Sequence, residues 1–263
     1  MIPKIIHYCW FGGNPLPETA KKCIDSWRKF CPDFEIKEWN ERNYDVHKIP
    51  YSSQAYTAKK YAFVSDYARF DIVYRLGGIY FDTDVEVLKP LAPILADGAF
   101  FAMEEAGRVN SGLGLAAESG HPIYAEILQD YRAHDFLRDG GHCDLTTVVT
   151  RVTDILKRHG LRNEDCIQTI AGIKIYPSEY FSPKNTKTQK LTITANSYTI
   201  HHFDASWVIP LRKKYLNAYA ALVPKLGVTL TSLLLLPWRF VCIIKEVGFG
   251  GLCKRLGERF KGK

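Results

Sequence analysis

At 263 residues, 46% hydrophobic and 24% charged, the chain has an ordinary globular make-up and enough length to bury a core, as one α/β domain of about 200 residues plus an appendage. Seven cysteines (Cys9, Cys23, Cys31, Cys143, Cys166, Cys242, Cys253), an odd number without a C-x-x-C pair, argue against a disulfide framework or a zinc site and for a reducing compartment. The net charge of +7 is unevenly placed: from residue 211 onward eleven Lys/Arg oppose two Glu, so that stretch carries +9 and the first 210 residues −2.

Met1 leads directly into the first expected strand, residues 4–8, with no signal peptide ahead of it. A loop over 11–15 follows, then a helix over 18–30 stopped by Cys31-Pro32, then an alternating strand over 34–39. This is the β-α-β opening of a nucleotide-binding α/β sheet. Residues 55–76 read as mostly helical and end in Gly77-Gly78, which accept the positive φ of a sharp turn. Short strands over 79–81 and 86–89 flank Asp82-Thr83-Asp84. Beyond them the pattern predicts a strand over 100–104, helices over 122–133 and 145–158, and late strands over 174–176 and 198–202. The alternation calls for a single mixed sheet with helices on both faces.

The chemistry concentrates around the D-x-D. At a strand tip, a side-chain period of two would put Asp82 and Asp84 on one side. Two carboxylates so close repel unless a cation sits between them. The pattern therefore reads as a site for a hard divalent ion with positions left for phosphate oxygens, although a bare D-x-D is more often a solvated turn. Asp66 and Arg69, at i and i+3, share a helix face. They read either as a surface ion pair or as a carboxylate and a guanidinium over the same cleft.

The run S-D-x-x-R-F-x-x-x-Y-R-x-G-G-I-Y-F-D-T-D, from Ser65 to Asp84, resembles the signature of glycosyltransferase family 32. This is the D-x-D sugar-binding group of initiating mannosyltransferases and capsule enzymes, similar also to the catalytic domain of the clostridial glucosylating toxins. The opening Ile2-Pro3-Lys4-Ile5-Ile6-His7-Tyr8-Cys9-Trp10 resembles the family's first strand and its aromatic. His201-His202-Phe203-Asp204-Ala205-Ser206-Trp207 resembles its closing H-x-x-x-S-W element. The resemblance covers residues 1–210 and implies a GT-A fold, a metal-dependent transfer from a nucleotide sugar, and retention of anomeric configuration through front-face attack.

It also implies roles. Trp10 would stack on the base, with a core tryptophan as the alternative. Asp66 and Arg69 would contact the sugar and ribose, Tyr80 the nucleotide, and Asn110 the anomeric carbon. Asp84 would bind Mn²⁺ or Mg²⁺ directly, Asp82 the ribose or metal-bound water. His201 or His202 would complete the ion's shell, His201 being favoured by its spacing to Ser206-Trp207, which would close over the diphosphate. Glu104 or Glu105 is open as a catalytic carboxylate, and His7 and His121 read as structural. A haloacid-dehalogenase phosphatase is disfavoured because Glu86 stands where it needs Thr or Val; a decayed sugar- or lipid-binding scaffold is the other alternative.

Residues 211–263 form the appendage. Residues 226–247 are strongly apolar, and Lys225, Ser232, Arg239 and Glu246 recur every seven residues as a thin polar stripe. Arg239 and Pro237 near the middle disfavour a spanning helix, and a core helix is the structural alternative. The pattern best suits a basic amphipathic helix in the membrane interface, with Trp238 and Phe240 at headgroup depth and Lys254, Arg255, Arg259, Lys261 and Lys263 toward anionic lipid. No base-stacking or groove-reading module points to nucleic acid. The sequence thus predicts a cytoplasmic enzyme, peripheral on the inner face of the cell membrane, with a glycan or lipid-linked acceptor in surface or capsular polysaccharide synthesis.

Overall fold

In the computed structural model, which describes residues 1–138, 141–204 and 208–245, β1 (Ile5–Cys9) leads into α1 (Glu18–Phe30) and returns as β2 (Glu35–Trp39), parallel to β1. Ala20, Cys23, Ile24 and Trp27 form the buried face of α1 at helical spacing. Trp27 Nε1 donates to the Val85 carbonyl at 2.7 Å, tying the helix to the chain just beyond Asp82-Thr83-Asp84.

The helix expected over 55–76 is two helices, α2 (Pro50–Thr57) and α3 (Tyr61–Leu76), separated where Lys59 turns to φ 56°. Ten residues of α3 are buried, among them Asp66, Arg69 and Asp71. A helix buried all round has little amphipathic pattern to announce its ends, which is why the break escapes a periodicity reading. Gly77, at φ 66°, closes α3 by donating to the Val73 carbonyl at 2.8 Å. Gly78, at φ 103°, lies so close to β1 that a Cβ would stand 2.8 Å from the Ile5 carbonyl oxygen.

The remaining elements of this part are β3 (Gly78–Tyr80), β4 (Val85–Val87), α4 (Ala92–Ala96), β5 (Phe100–Glu105), β6 (Arg108–Val109), β7 (Leu115–Ala117), α5 (Pro122–Arg132), α6 (Val148–Arg158), β8 (Gln168–Ile170), β9 (Ile173–Tyr176), α7 (Ser178–Phe181) and β10 (Thr199–His201). The central sheet runs β2-β1-β3-β7-β5-β9-β8, with β6 added to β5, and β10 pairs with β4 in a sheet of two. β1 pairs in parallel with β2 and β3, whereas β7 is antiparallel to both β3 and β5. The α/β class and mixed central sheet are as expected. Strands β6, β7 and β8, of two or three residues each, were not foreseen, because so short a run shows no alternation. Neighbouring residues of the sheet feed opposite clusters: Tyr80 and Phe101 pack with Phe63, Phe70 and Tyr124, while Ile79, Phe81 and Phe100 pack with Ile6 and Trp27.

His7 is structural, fully buried on β1. Its Nε2 lies 2.9 Å from the Gly77 carbonyl oxygen, and Trp39 Nε1 donates to Nδ1 at 3.2 Å, which requires the neutral ring. Burial lowers its pKa from 6.5 to about 4, the Gly77 bond opposing. Between these values the unfolded chain binds the extra proton, so His7's contribution is present above 6.5 and is lost as pH falls through about 4. We expect a loss of about 3 kcal/mol over that window. A His7→Gln variant should lack this slope in denaturant titrations across the same pH range.

By its internal contacts the chain divides into two units, Met1–Pro183 with Thr192–Phe203, and Lys184–Leu191 with the residues from Asp204 onward. The expected boundary at 210/211 lies inside the second unit. There, α8 (Pro210–Leu234) is interrupted at Gly227, which has φ 75° and ψ 166°. It is followed by α9 (Leu236–Lys245), bent 59° from it. The single helix expected over 226–247, and with it the unbroken seven-residue stripe, is therefore replaced by a bent pair. Tyr215, Leu235 and Cys242 form a small core with Trp238, which packs edge-on against Tyr215 at 6.3 Å instead of lying free. Lys254, Arg255, Arg259, Lys261 and Lys263 lie outside the described residues.

Candidate active site

Asp82-Thr83-Asp84 is a turn between β3 and β4, not the end of a strand, so strand alternation is not what holds its carboxylates together. The backbone does this. Phe81 N–H donates to the His7 carbonyl at 3.1 Å, Asp82 N–H to Gly112 at 3.0 Å, and Val85 N–H back to Asp82 at 3.1 Å. The pairing of β10 with β4 then brings His201 opposite Val85. His201 Nε2 lies 3.1 Å from Asp84 Oδ1. Ligand atoms of Asp82, Asp84 and His201 all fall within 4.8 Å of one another. His202 faces away and meets Glu86 at 2.9 Å. Strand pairing thus separates the two histidines.

Asp82 is clamped from beneath. Its Oδ1 accepts from the Tyr80 hydroxyl at 3.0 Å and lies 3.3 Å from Arg69 Nη2. The same Nη2 meets Asp66 Oδ1 at 2.8 Å, Nη1 donates to Ser111 Oγ at 3.3 Å, and Nε donates to the Ser65 carbonyl at 3.1 Å. The guanidinium also lies 4.8 Å from the Tyr80 ring centroid. With side chains only 4% and 11% exposed, Arg69 and Asp66 are no surface pair; Asp82, at 32%, is the member reaching solvent. Tyr80 is likewise buried, and its hydroxyl serves Asp82.

The electrostatics follow this burial. Burial pushes the Asp66 carboxyl up to about 7, with Asp82 adding to the shift and Arg69 opposing it. Burial works against the charge on Arg69, but Asp82, Tyr80 and Asp66 outweigh it, so the guanidinium is held charged. His201 is shifted upward in the same way: burial opposes its charged form, and Asp84 and Asp82 prevail.

Ser111 and Gly112, expected only as part of an Asn110-Ser111-Gly112 stretch below the transferred sugar, shape the centre. Gly112 passes so close to Asp82 that a Cβ would sit 2.1 Å from Oδ2, and Ser111 holds Arg69. No sequence signal marks either contact, because both residues act by approach across a turn. Asn110 joins this group: its Oδ1 accepts from Gly112 N–H at 2.8 Å and its Nδ2 donates to Glu104 Oε2 at 2.9 Å. Glu105, 46% exposed, pairs instead with Arg108. Trp10 follows β1 half-buried, with Nε1 donating to the Asn14 carbonyl at 2.6 Å. Ser206 and Trp207 lie outside the described residues.

Two carboxylates and an imidazole are the donor set of a divalent ion that takes oxygen and nitrogen ligands. Holding Asp82 and Asp84 together against their repulsion is also what a cation would relieve. The residues fit such an ion.

Residues 17–101 match a family model described as "Glycosyltransferase sugar-binding region containing DXD motif". The chain is 32% identical over 142 residues, 49% of its length and 37% of the relative's, to inositol phosphoceramide mannosyltransferase 3 of Schizosaccharomyces pombe. It is 27% identical over 226 residues, 81% of its length and 86% of the relative's, to the uncharacterized glycosyltransferase L373 of Acanthamoeba polyphaga mimivirus. Of the two Schizosaccharomyces mannosyltransferases it matches, the chain spans only about two fifths, 37% and 42%. Among solved structures it is similar to the PaToxG glycosyltransferase, with TM-score 0.44 and 20% identity, covering 60% of this chain and 68% of that one.

Proposed function

We propose, from the match of residues 17–101 to a glycosyltransferase sugar-binding region with a DXD motif, that this protein is a metal-dependent, retaining glycosyltransferase. It transfers a hexosyl group from a nucleotide sugar, a UDP-hexose or GDP-mannose, to a glycan acceptor carried on a lipid, in surface or capsular polysaccharide synthesis at the inner face of the cell membrane. The observation that carries the reading is the Asp82–Asp84–His201 cluster with Asp82 clamped by the buried Arg69–Asp66 pair. A lipid-borne acceptor is supported by the relative named for mannosyl transfer to inositol phosphoceramide.

Cleaving the bond between C1 and the diphosphate develops positive charge on the sugar ring and negative charge on the leaving group. Asp82, Asp84 and His201 would hold Mn²⁺ or Mg²⁺, which when bound neutralises the diphosphate as a Lewis acid. Arg69 holds the Asp82 carboxylate in place from beneath, so that little reorganisation accompanies the reaction. Asn110, braced by Glu104, stands on the same loop as Gly112 and would meet the transferred sugar. Trp10, at the carboxyl end of β1, is placed where bases bind in α/β sheets. The convergence of Asp82, Asp84, His201 and Arg69 supports this reading over a decayed scaffold.

The test is a screen of UDP- and GDP-hexoses with and without Mn²⁺. A sugar nucleotide that raises the melting temperature only with Mn²⁺, and from which the enzyme slowly releases nucleoside diphosphate, is the expected result. Absence of both effects across the screen would overturn the reading.

A further inference from the structure

The second unit carries a surface that the transfer chemistry does not use. From Val208 to Lys245 there are six Lys/Arg and no Asp/Glu. Leu226, Val228, Leu230, Leu233, Leu234 and Leu236 are exposed, the last four at 54%, 63%, 59% and 40%. They run from the break at exposed Gly227 to the bend between α8 and α9. The small core around Tyr215, Leu235 and Trp238 leaves these side chains uncovered.

We propose that this bend is a monotopic membrane anchor that dips into one leaflet of an anionic bilayer and returns to the same side. Length decides between dipping and crossing. No single helix among the described residues is long and apolar enough to cross a membrane, and the two pass such a test only together, bent by 59°. Between Lys225 and Arg239 lie thirteen uncharged residues. Even as one straight helix they would reach only about 20 Å at 1.5 Å per residue, against about 30 Å of hydrocarbon. The bend and the break at Gly227 shorten that reach further. Lys225 and Arg239 on either side of the run, with Arg212, Lys213, Lys214 and Lys245 beyond them, are placed to stay at the headgroups. Cations without carboxylates between them favour an anionic over a zwitterionic surface. The apolar tip supplies what charge alone does not, since stable attachment takes both signals.

The anchor stands independently of the sugar chemistry, and so does its test. The full-length protein is mixed with phosphatidylcholine vesicles, with or without phosphatidylglycerol, and the bound fraction is read by sedimentation. We expect binding that requires phosphatidylglycerol and falls as salt is raised. The variant carrying Leu233→Asp and Leu234→Asp should bind roughly tenfold or more weakly, while its melting temperature and its Mn²⁺-dependent response to sugar nucleotides stay unchanged, because both side chains are exposed. A protease site added at the carboxyl terminus should remain cleavable from outside the vesicles. Wild-type binding by the double variant would overturn the proposal, as would a protected carboxyl terminus, which would mean a crossing. A stable dimer without lipid that the same substitutions dissolve would also overturn it, by assigning the face to a second copy of the chain.

Discussion

Replacing Asp84 with alanine is expected to lower metal-dependent turnover of the sugar nucleotide by about a thousandfold or more, the scale at which lost charge stabilisation acts in a preorganised site. Asp84 contributes its carboxylate to the three-residue cluster, and it lies 3.1 Å from His201 Nε2. Removing it therefore takes away one donor and the hydrogen-bond partner of a second. The fold should survive, because the turn is held by backbone bonds that the substitution keeps, including the one from His202 N–H to the Asp84 carbonyl at 3.0 Å. Nucleoside diphosphate release measured against Mn²⁺ concentration, with circular dichroism as the check on folding, decides the matter. Turnover near that of the parent protein would remove Asp84 from the metal site.

Arg69→Ala should have the largest effect on stability. Among the described residues, Arg69 is the cation that contacts both Asp66 and Asp82. Truncating it leaves the Asp66 carboxyl buried without its partner, either as an unpaired charge or forced to take up a proton, the direction in which burial already pushes it. Breaking a buried pair in this way costs about 3–5 kcal/mol, and transfer should be lost with it because Asp82 is no longer held. The two consequences can be separated. In the double variant Asp66→Asn, Arg69→Met, no buried charge is stranded, so denaturant midpoints should recover most of the loss while turnover does not. Recovery of turnover together with stability would show that Arg69 serves the fold alone.

Much of this was legible in the linear pattern for simple reasons. The α1 face repeats at helical spacing and Cys31-Pro32 stops it, so that helix could be placed from composition alone. Gly77 and Gly78 could be read as a turn because their positive φ is a property of the residue type. Asp66, Arg69, Asp82 and Asp84 fall within twenty residues, close enough for spacing to suggest a common site. The short strands β6, β7 and β8 and the break between α2 and α3 could not be read in the same way. Their positions are set by neighbours in space, and a three-residue strand buried on both faces has no pattern of its own.

What the sequence by itself determined was the set of chemical groups and their local order: two carboxylates around a threonine, an Asp-Arg pair one helical turn apart, a doubled histidine, and a basic, leucine-rich end. Only the tertiary structure decided what each group meets. It made the Asp66–Arg69 pair a buried clamp instead of a solvated one, because α3 is covered on every side. Where strand alternation only opposes His201 to His202, it decided that His201 is the one facing Asp84, by pairing β10 with β4 across more than a hundred residues of chain. It also required glycine at 112, since a single added carbon there would occupy the space of the Asp82 carboxylate. Residue type and spacing act along the chain, whereas burial, register and close approach arise between segments that the sequence leaves far apart.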